Sequence, residues 1–258
     1  ETWLSWSAAN RAAIGNTRAY LVRIAVNEAM SRLRRVQRSR ETYVGPWLPE
    51  PLVTQNDAAE GTLRAESVSV ALMVVLETLT PLERAVFVLR EAFGYGLNEI
   101  ATILDRSPEA VRQLAHRARE HVEARRPRVA VDPHVRKTVT DRFLVAAMGG
   151  DLNALMEVLA PDVRLWTDAG GKTKAARQVV AGRDKVARLL ASDKILRDLA
   201  DLAVHPVLLN GEPALALFAG DRIYAAGVVE VSDDGQHVCG IYGIMNPDKL
   251  RSIAKTLS

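Results

Sequence analysis

The pattern of apolar positions changes character half-way along the chain. In residues 17–40 apolar side chains recur at steps of three and four, which predicts one long helix capped by Asn16 or Thr17. Residues 3–6 predict the end of an earlier helix, and residues 7–16 the loop between the two. Residues 60–126 predict helices throughout, whereas residues 127–258 begin with helices and end in strand-like runs.

Capping signals divide the second helical stretch. Thr80, Pro81 and Glu83 form a capping box with proline at the first helical position, so a helix is expected from there to about residue 93. Glycines 94 and 96 end it. A short helix over 97–104, a turn at 105–107 and a helix from Pro108 to about residue 125 follow. Two helices joined by so short a turn predict a helix-turn-helix.

The last 130 residues or so read as an α+β domain. Helices are predicted over about 133–149, 152–160 and 184–197, and strands over 163–167, 202–209, 213–218, 222–231 and 237–245. Hairpin turn signals separate the last four strands. Residues 246–248 cap a final helix that runs to residue 257. Helices first and antiparallel hairpins later favour the α+β class.

A proline-rich segment interrupts the helices at residues 43–56. Pro46, Pro49 and Pro51 fix φ and remove three backbone donors, which predicts an extended, semi-rigid linker. Trp47 and Leu48 are apolar side chains in this linker, and they suggest that it docks on another part of the protein.

Composition narrows the class of protein. A chain of 258 residues with 48% hydrophobic and 25% charged residues is globular, with one or two domains by length. No apolar run approaches the ~18 residues of a membrane helix, and we expect no secretory leader. The one cysteine, Cys239, excludes a disulfide framework and cysteine-based zinc motifs, which favours a reducing, cytoplasmic location. We expect no membrane contact, no metal and no cofactor.

The charge is concentrated in two places. Net charge is only +3, but residues 11–40 carry eight arginines against one acid, and residues 106–126 carry six arginines against three glutamates. Arginine-rich helices favour phosphate contacts. On the second helix of the helix-turn-helix, arginine can pair with guanine and glutamine with adenine. The alternative for each run is a solvated helix face. The candidate DNA-binding residues of the run over 106–126 are Arg106, Arg112, Gln113, His116, Arg117 and Arg119.

The order of these motifs along the chain is similar to that in a known protein family. Residues 18–27 (RAYLVRIAVN) and 32–34 resemble the late part of region 2 of extracytoplasmic-function (ECF) RNA polymerase sigma factors, and residues 66–126 resemble region 4. Residues 47–51 (WLPEP) and 246–250 (NPDKL) resemble motifs of the subfamily with a C-terminal SnoaL-like domain. Residues 168–172 (DAGGK) resemble a third motif, with Ala169 in place of a glycine.

The resemblance implies a multidomain fold. It comprises an all-α region 2 fragment (1–42), a linker (43–59), an all-α region 4 with the helix-turn-helix (60–126) and an α+β SnoaL-like (NTF2-like) cone domain (127–258). Further helices of region 2 are expected before residue 1. The implied function is that of a sigma factor and not an enzyme: it binds core RNA polymerase and directs it to promoter DNA. Region 4 would read the −35 element through Arg112, Gln113, His116 and Arg117.

Region 2 would open and read the −10 element. Asn10 and Arg11 lie in the loop that corresponds to a segment capturing a flipped base, and the following helix would hold backbone phosphates. The phosphate-binding candidates are Arg23, Arg34, Arg35 and Arg38. The three subfamily motifs predict a regulatory contact within the chain, through which the C-terminal domain tunes activity. Its residues are Trp47, Leu48, Pro49, Glu50, Pro51, Asp168, Gly170, Gly171, Lys172, Asn246, Pro247, Asp248, Lys249 and Leu250.

Other interpretations stay open at this point. The three motifs are also explained as a spacer, a turn and a helix cap. The chain as a whole fits a one-component regulator that couples a helix-turn-helix to a ligand-sensing domain. Some SnoaL-like relatives are cyclases or isomerases, and Asp168, His205, His237 and Tyr242 are the acid–base candidates, although no spacing marks a catalytic pair. An unidentified small-molecule ligand of the C-terminal domain remains an expectation.

Overall fold

The computed structural model describes residues 2–9, 14–40, 43–54, 69–123 and 131–257, with the side chains of 37–40 and 257 excepted. The chain forms two compact units. We call Glu1–Thr42 with Val75–Arg126 the helical unit, and Tyr43–Val74 with Pro127–Ser258 the sheet unit. These units follow other boundaries than the predicted domains, because residues 43–54 and 69–74 pack with the C-terminal part of the chain.

The helical unit contains α1 (Thr2–Ser7), α2 (Thr17–Arg40), α4 (Pro81–Glu91), α5 (Leu97–Leu104), α6 (Pro108–Glu123) and the end of α3 (Val70–Glu77). The predicted helices over 17–40 and 97–104 are confirmed. The core of the unit joins Val86, Ile100 and Val111 from α4, α5 and α6, and Val22 and Val26 of α2 pack against it. Helix α2 is therefore part of the same core as the helix-turn-helix.

The predicted caps fix where these helices begin. The Thr80 hydroxyl accepts from the Glu83 amide at 3.3 Å, and the Glu83 carboxylate accepts from the Thr80 amide at 3.0 Å, which closes the capping box of α4. The turn between α5 and α6 bends at Asp105, whose φ of 54° is left-handed. Ser107 then caps α6 by accepting from the Ala110 amide at 3.2 Å. Local sequence thus sets the angle between the two helices.

The sheet unit contains one six-stranded sheet in the order β2-β1-β6-β5-β4-β3. Its strands are β1 (Leu159–Asp168), β2 (Val180–Ala181), β3 (Ala203–Leu209), β4 (Glu212–Ala219), β5 (Arg222–Val231) and β6 (Val238–Ile244). Strands β1 and β6 are parallel, and the other neighbours are antiparallel. The α+β fold class is confirmed. The helices are α7 (Pro133–Gly149), α8 (Leu152–Val158), α9 (Arg183–Leu190), α10 (Asp193–Leu199) and α11 (Pro247–Leu257).

Side-chain alternation gives the sheet two apolar faces. One face, with Leu165, Val229 and Ile241, shares a core with residues of α7, α8 and α9. The opposite face, with Ala226 and Val228, shares a core with α11, the first residues of α3 and Leu48 of the proline-rich segment. The proline-rich segment therefore supplies part of a hydrophobic core and is more than a spacer.

Three details differ from the sequence-based expectation. The helix predicted over 184–197 is two helices, because the Ser192 hydroxyl donates to the Leu189 carbonyl at 2.7 Å and a new helix starts after it. The helix predicted over 152–160 ends at Val158, and β1 begins at Leu159. The two-residue strand β2 was not predicted, since it is too short to show alternation. No described helix is long and apolar enough to cross a membrane.

The capping box predicts a stability effect. Thr80→Ala should lower the free energy of unfolding of the helical unit by about 1 kcal/mol, because the Glu83 amide loses its acceptor. Thr102→Ala is the matched control, since that hydroxyl is exposed in the last turn of α5 and only donates to the Asn98 carbonyl at 3.1 Å. Urea unfolding of both variants checks the difference, and equal midpoints would contradict it.

Candidate functional site

The exposed face of α6 is the first candidate surface. Val111, Ala118 and Val122 are buried in the helical unit, which turns Arg112, Gln113 and His116 towards solvent. Arg112 pairs with Glu109 at 2.8 Å in its own helix, and the His116 imidazole lies 3.6 Å from Glu120. These are solvent-exposed pairs, so the side chains are held only weakly.

The other predicted residues of this surface have partners in neighbouring elements. Arg119 donates to Glu91 of α4 at 2.6 Å, and Arg117 lies 3.7 Å from Glu83, the capping residue of α4. Arg106 is exposed and donates to the carbonyl of Asp105 at 2.8 Å. Sequence reasoning did not foresee the two ion pairs to α4.

Helix α2 carries the second basic surface. Arg23, Arg34 and Arg35 are exposed, while Val22 and Val26 face the core of the unit. The Arg18 guanidinium lies 5.4 Å from the centre of the Tyr95 ring, at the start of the helix-turn-helix. Asn10, Arg11 and the side chain of Arg38 lie outside the described residues.

The third candidate site is a polar cluster in the sheet unit, which we call the linker junction: Tyr43, Leu48, Asp168, Asn246 and Lys249. Asp168, at the end of β1, is fully buried. Its carboxylate accepts from the Leu48 amide at 2.7 Å and from the Lys249 ammonium at 2.6 Å. The Tyr43 hydroxyl donates to the other carboxylate oxygen. One carboxylate thus joins the linker, the end of β1 and the start of α11.

Two further contacts close the linker junction. The Asn246 amide donates to the Tyr43 hydroxyl at 2.8 Å, and the Lys249 ammonium also donates to the Leu48 carbonyl. Burial, followed by the hydrogen bond to Asp168, raises the pKa of the Tyr43 phenol above its ordinary value. Tyr43 is therefore a protonated donor at neutral pH.

The backbone of residues 168–172 explains its glycines. Gly170 has a φ of 58°, and a Cβ there would lie 2.5 Å from the Asn246 amide nitrogen and 2.9 Å from the Tyr43 hydroxyl. Gly171 has a φ of 72° and faces Val44. Ala169, which departs from the subfamily motif, is buried and is not among the described residues with positive φ. The substitution therefore leaves this turn intact.

The remaining motif residues surround the linker junction. The Trp47 ring lies 4.0 Å from the Lys249 ammonium, and Leu48 and Leu250 share one core. Lys172 pairs with Asp248 at the surface. Pro49 and Pro51 are buried, and Glu50 and Pro247 are exposed.

The sequence missed several linker contacts. Tyr43 was not among the predicted site residues, and only its place beside the proline-rich segment could have suggested it. Further along, the Leu52 amide donates to the Asn210 side chain at 3.1 Å, and the Asn210 amide donates to the Leu52 carbonyl at 2.8 Å. Val53 forms a β-bridge with Leu209. Residues 52–54 thus extend the edge of the sheet beside the β3–β4 turn.

The four acid–base candidates do not form a site. Asp168 is engaged in the linker junction, His205 packs edge-on to Phe218, and His237 lies 3.7 Å from Asp234. The Tyr242 hydroxyl donates to Glu230 at 2.7 Å. Each has a separate structural partner.

Comparison with known proteins identifies the family to which this chain belongs. The model of the family "Sigma-70, region 4" matches residues 69–122, which include α4, α5 and all but the last residue of α6. The ECF RNA polymerase sigma factor SigJ of Mycobacterium tuberculosis (strain ATCC 25618 / H37Rv) is 36% identical over 96% of this chain and 83% of its own length. The chain belongs to the ECF RNA polymerase sigma factors.

Other relatives of this sigma factor agree. The probable ECF RNA polymerase sigma factor SigI of M. tuberculosis is 33% identical over 83% of this chain and 71% of that protein. The crystal structure of M. tuberculosis SigJ matches 98% of this chain and 87% of that chain, with a TM-score of 0.72 and 33% identity.

The family assignment decides between the interpretations of the sequence. This sigma factor directs RNA polymerase to promoters, and the family is not one of enzymes. The predicted promoter-directing function is confirmed. A stand-alone helix-turn-helix regulator does not account for a similarity to a sigma factor that covers nearly the whole chain.

The linker junction predicts a contrast between two lysine–aspartate pairs. Lys249→Met should destabilise the sheet unit by about 3–5 kcal/mol, because Asp168 stays buried without its cation. Lys172→Met removes the exposed partner of Asp248 and should cost at most about 1 kcal/mol. The side chains of the first pair are 12% and 0% exposed, and those of the second 51% and 44%. Urea unfolding measures both, and a similar loss in the two variants would refute a buried ion pair.

Proposed function

We propose that α6 reads the −35 element, that α2 contacts the −10 element, and that the sheet unit tunes initiation by holding the linker between them. The observation that best supports this proposal is the linker junction, in which the buried Asp168 carboxylate accepts a hydrogen bond from the Leu48 amide of the linker. A regulator within the chain then takes the place of a separate protein partner. The protein would act in the cytoplasm, on core polymerase and promoter DNA.

The face of α6 supports the reading of bases. Arg112, Gln113 and His116 occupy one exposed side of a helix whose other side is packed, as a recognition helix in a major groove requires. Arginine and glutamine there have the hydrogen-bonding groups to read guanine and adenine. Arg117 and Arg119 keep α6 on α4 and can exchange a glutamate for a phosphate, since both are more than half exposed.

The packing of α2 against the helix-turn-helix implies a conformational change on the promoter. The −10 and −35 elements lie about 25 base pairs apart, which is about 85 Å at 3.4 Å per base pair. Helix α2, with 24 residues, is only about 36 Å long. Because Val22 and Val26 pack in the core with α4 and α5, the two surfaces cannot reach both elements in this arrangement. Regions 2 and 4 must separate.

The linker would span part of that separation. Residues 43–54 number twelve and could reach about 40 Å when fully extended. In this structure they lie on the sheet unit, with Leu48 in its core and Leu52 bonded to its β3–β4 turn. A linker held in this way limits how far regions 2 and 4 can move apart, and this is the physical means by which the sheet unit would tune activity.

The recognition surface makes a first prediction. Gln113→Ala should weaken the binding of the promoter by about 1–3 kcal/mol, because one base-reading side chain is lost. Initiation should fall accordingly. The control is Lys137→Ala, an exposed lysine that pairs with Asp141 in the sheet unit. Run-off transcription with core polymerase measures both on an intact promoter and on one with a scrambled −35 element. A defect of equal size on both templates would exclude a role in reading that element.

The regulatory contact makes a second prediction. Gly170→Ala places a methyl group against Asn246 and Tyr43 and should release the linker without altering any charge. Gly220→Ala is the matched control, since Gly220 has a nearly equal φ of 59° but no atom within 4 Å of its Cβ position. The expected result for Gly170→Ala alone is severalfold faster hydrogen exchange in residues 43–54 and a severalfold change in initiation.

The direction of that change tells whether the docked linker restrains or assists initiation. The complete gene product and a form ending after Arg126 give the same comparison for the whole sheet unit. Faster exchange with unaltered initiation would show that docking has no regulatory effect.

A further inference from the structure

Two glycines face each other in the middle of the sheet. Gly227 of β5 and Gly243 of β6 are register partners, and neither has a positive φ. A Cβ at Gly227 would meet only the Tyr242 carbonyl at 3.7 Å, and one at Gly243 only Trp166 and Thr167 at 3.6 Å or more. A glycine inside a strand costs stability and often marks a place where a ligand approaches the backbone. Neither backbone strain nor crowding explains this pair.

The glycines lie on the floor of a cavity of about 1030 Å³ in the sheet unit. This volume is at the upper end of the range for small-molecule sites. Phe143 of α7 and Ile195 of α10 are among its apolar lining residues. Leu215 and Leu217 of β4 also line it and are only partly buried, although β4 is an interior strand. Their neighbours on the opposite face, Ala214 and Ala216, are 6% and 0% exposed.

The charged residues of the lining are mostly cationic. They are Lys172, Lys174, Arg177, Lys194 and one carboxylate, Asp198. Lys172 pairs with Asp248. Lys174, Arg177 and Lys194 are exposed, and within the described parts of the chain no carboxylate lies within ion-pair distance of them. A cavity with apolar walls and several cations attracts a molecule with an apolar body and one negative charge.

The linker itself forms part of the cavity wall. Val44 and Gly45 line it together with Gly171 and Arg177. A Cβ at Gly171 would lie 3.1 Å from the Cβ of Val44, so the linker fits closely against the motif turn here. A molecule in the cavity therefore contacts the same segment that the linker junction holds.

We propose that this cavity binds a small amphipathic carboxylate, with the apolar body over Gly227 and Gly243 and the anionic group at Lys174, Arg177 and Lys194. The second part of the inference rests on the proposed function: the bound carboxylate stabilises the docked linker and thereby transmits a chemical signal to regions 2 and 4. Linkage requires the reverse as well, so release of the linker weakens the binding.

Displacement of the fluorescent probe anilinonaphthalene sulfonate from the full chain tests the site. Decanoate should displace the probe saturably, and decanol and decylammonium should do so at least about tenfold more weakly, because they lack the anionic group. The double variant Lys174→Gln with Arg177→Gln should lose about the same factor for decanoate and little for decanol. Equal displacement by all three amphiphiles, or none by decanoate, would overturn the assignment of ligand class.

The glycine floor has its own test. Gly227→Leu places a branched side chain on the floor where the apolar body would lie, and it should weaken displacement by decanoate at least about tenfold. Gly243→Ala, which adds one methyl group, should weaken it severalfold. Circular dichroism and melting of both variants show that the sheet is intact. Unchanged binding in a folded Gly227→Leu variant would place the site elsewhere. If the Gly227→Leu variant does not fold, the effect of Gly243→Ala on decanoate binding decides the question.

Hydrogen exchange separates this inference from the proposed function. Saturating decanoate should slow exchange of residues 43–54 severalfold in the natural chain and have no such effect in Gly227→Leu. If decanoate binds without slowing that exchange, the coupling is wrong. The regulatory contact is judged independently, by whether Gly170→Ala alters initiation in the absence of any ligand.

Discussion

The fold of the sheet unit depends on one buried carboxylate. Asp168 is fully buried, and a charge in that position is tolerated only when donors surround it. The donors come from places far apart in the sequence: the Tyr43 hydroxyl and the Leu48 amide from the linker, and the Lys249 ammonium from α11. If the linker leaves, the carboxylate therefore loses two of its donors, Tyr43 and Leu48, and keeps only Lys249. This is why a proline-rich segment that lies between α2 and α3 in the sequence folds as part of the sheet unit.

The contacts that hold the linker bear on how the protein would rearrange on a promoter. A sigma factor needs its two DNA-reading regions far apart on the promoter, yet α2 packs in one core with α4 and α5. The segment that we propose to govern their separation is bonded to the sheet unit at Leu48 and again at Leu52. The same segment lines a large apolar cavity at Val44 and Gly45. We propose that the linker contact biases this movement and that a small molecule in the cavity biases the contact.

The sequence revealed those parts of the structure that local interactions determine. The helix over 17–40, the capping box at Thr80 and the hairpin turns are written in short patterns, and the structure has them. The break at Ser192 was missed, because a serine that bonds to its own turn looks like any polar helix position. Motif resemblance suggested that three segments meet, but not that a buried Asp168 unites them through Tyr43, since burial arises from contacts more than 120 residues apart. The pairing of Arg117 and Arg119 with α4 likewise depends on tertiary packing.

The most direct measurement of the central claim is the hydrogen-exchange rate of a single amide, that of Leu48, in the free full-length protein. Its N–H donates to the buried Asp168 carboxylate, whereas Val44 in the same segment is exposed. If the linker is an integral part of the sheet unit, the Leu48 amide exchanges as slowly as the amides in the middle of β6, through opening of the whole unit. Exchange at the rate of an unprotected linker amide would show that the linker is not held, and the proposed regulation would lose its physical basis.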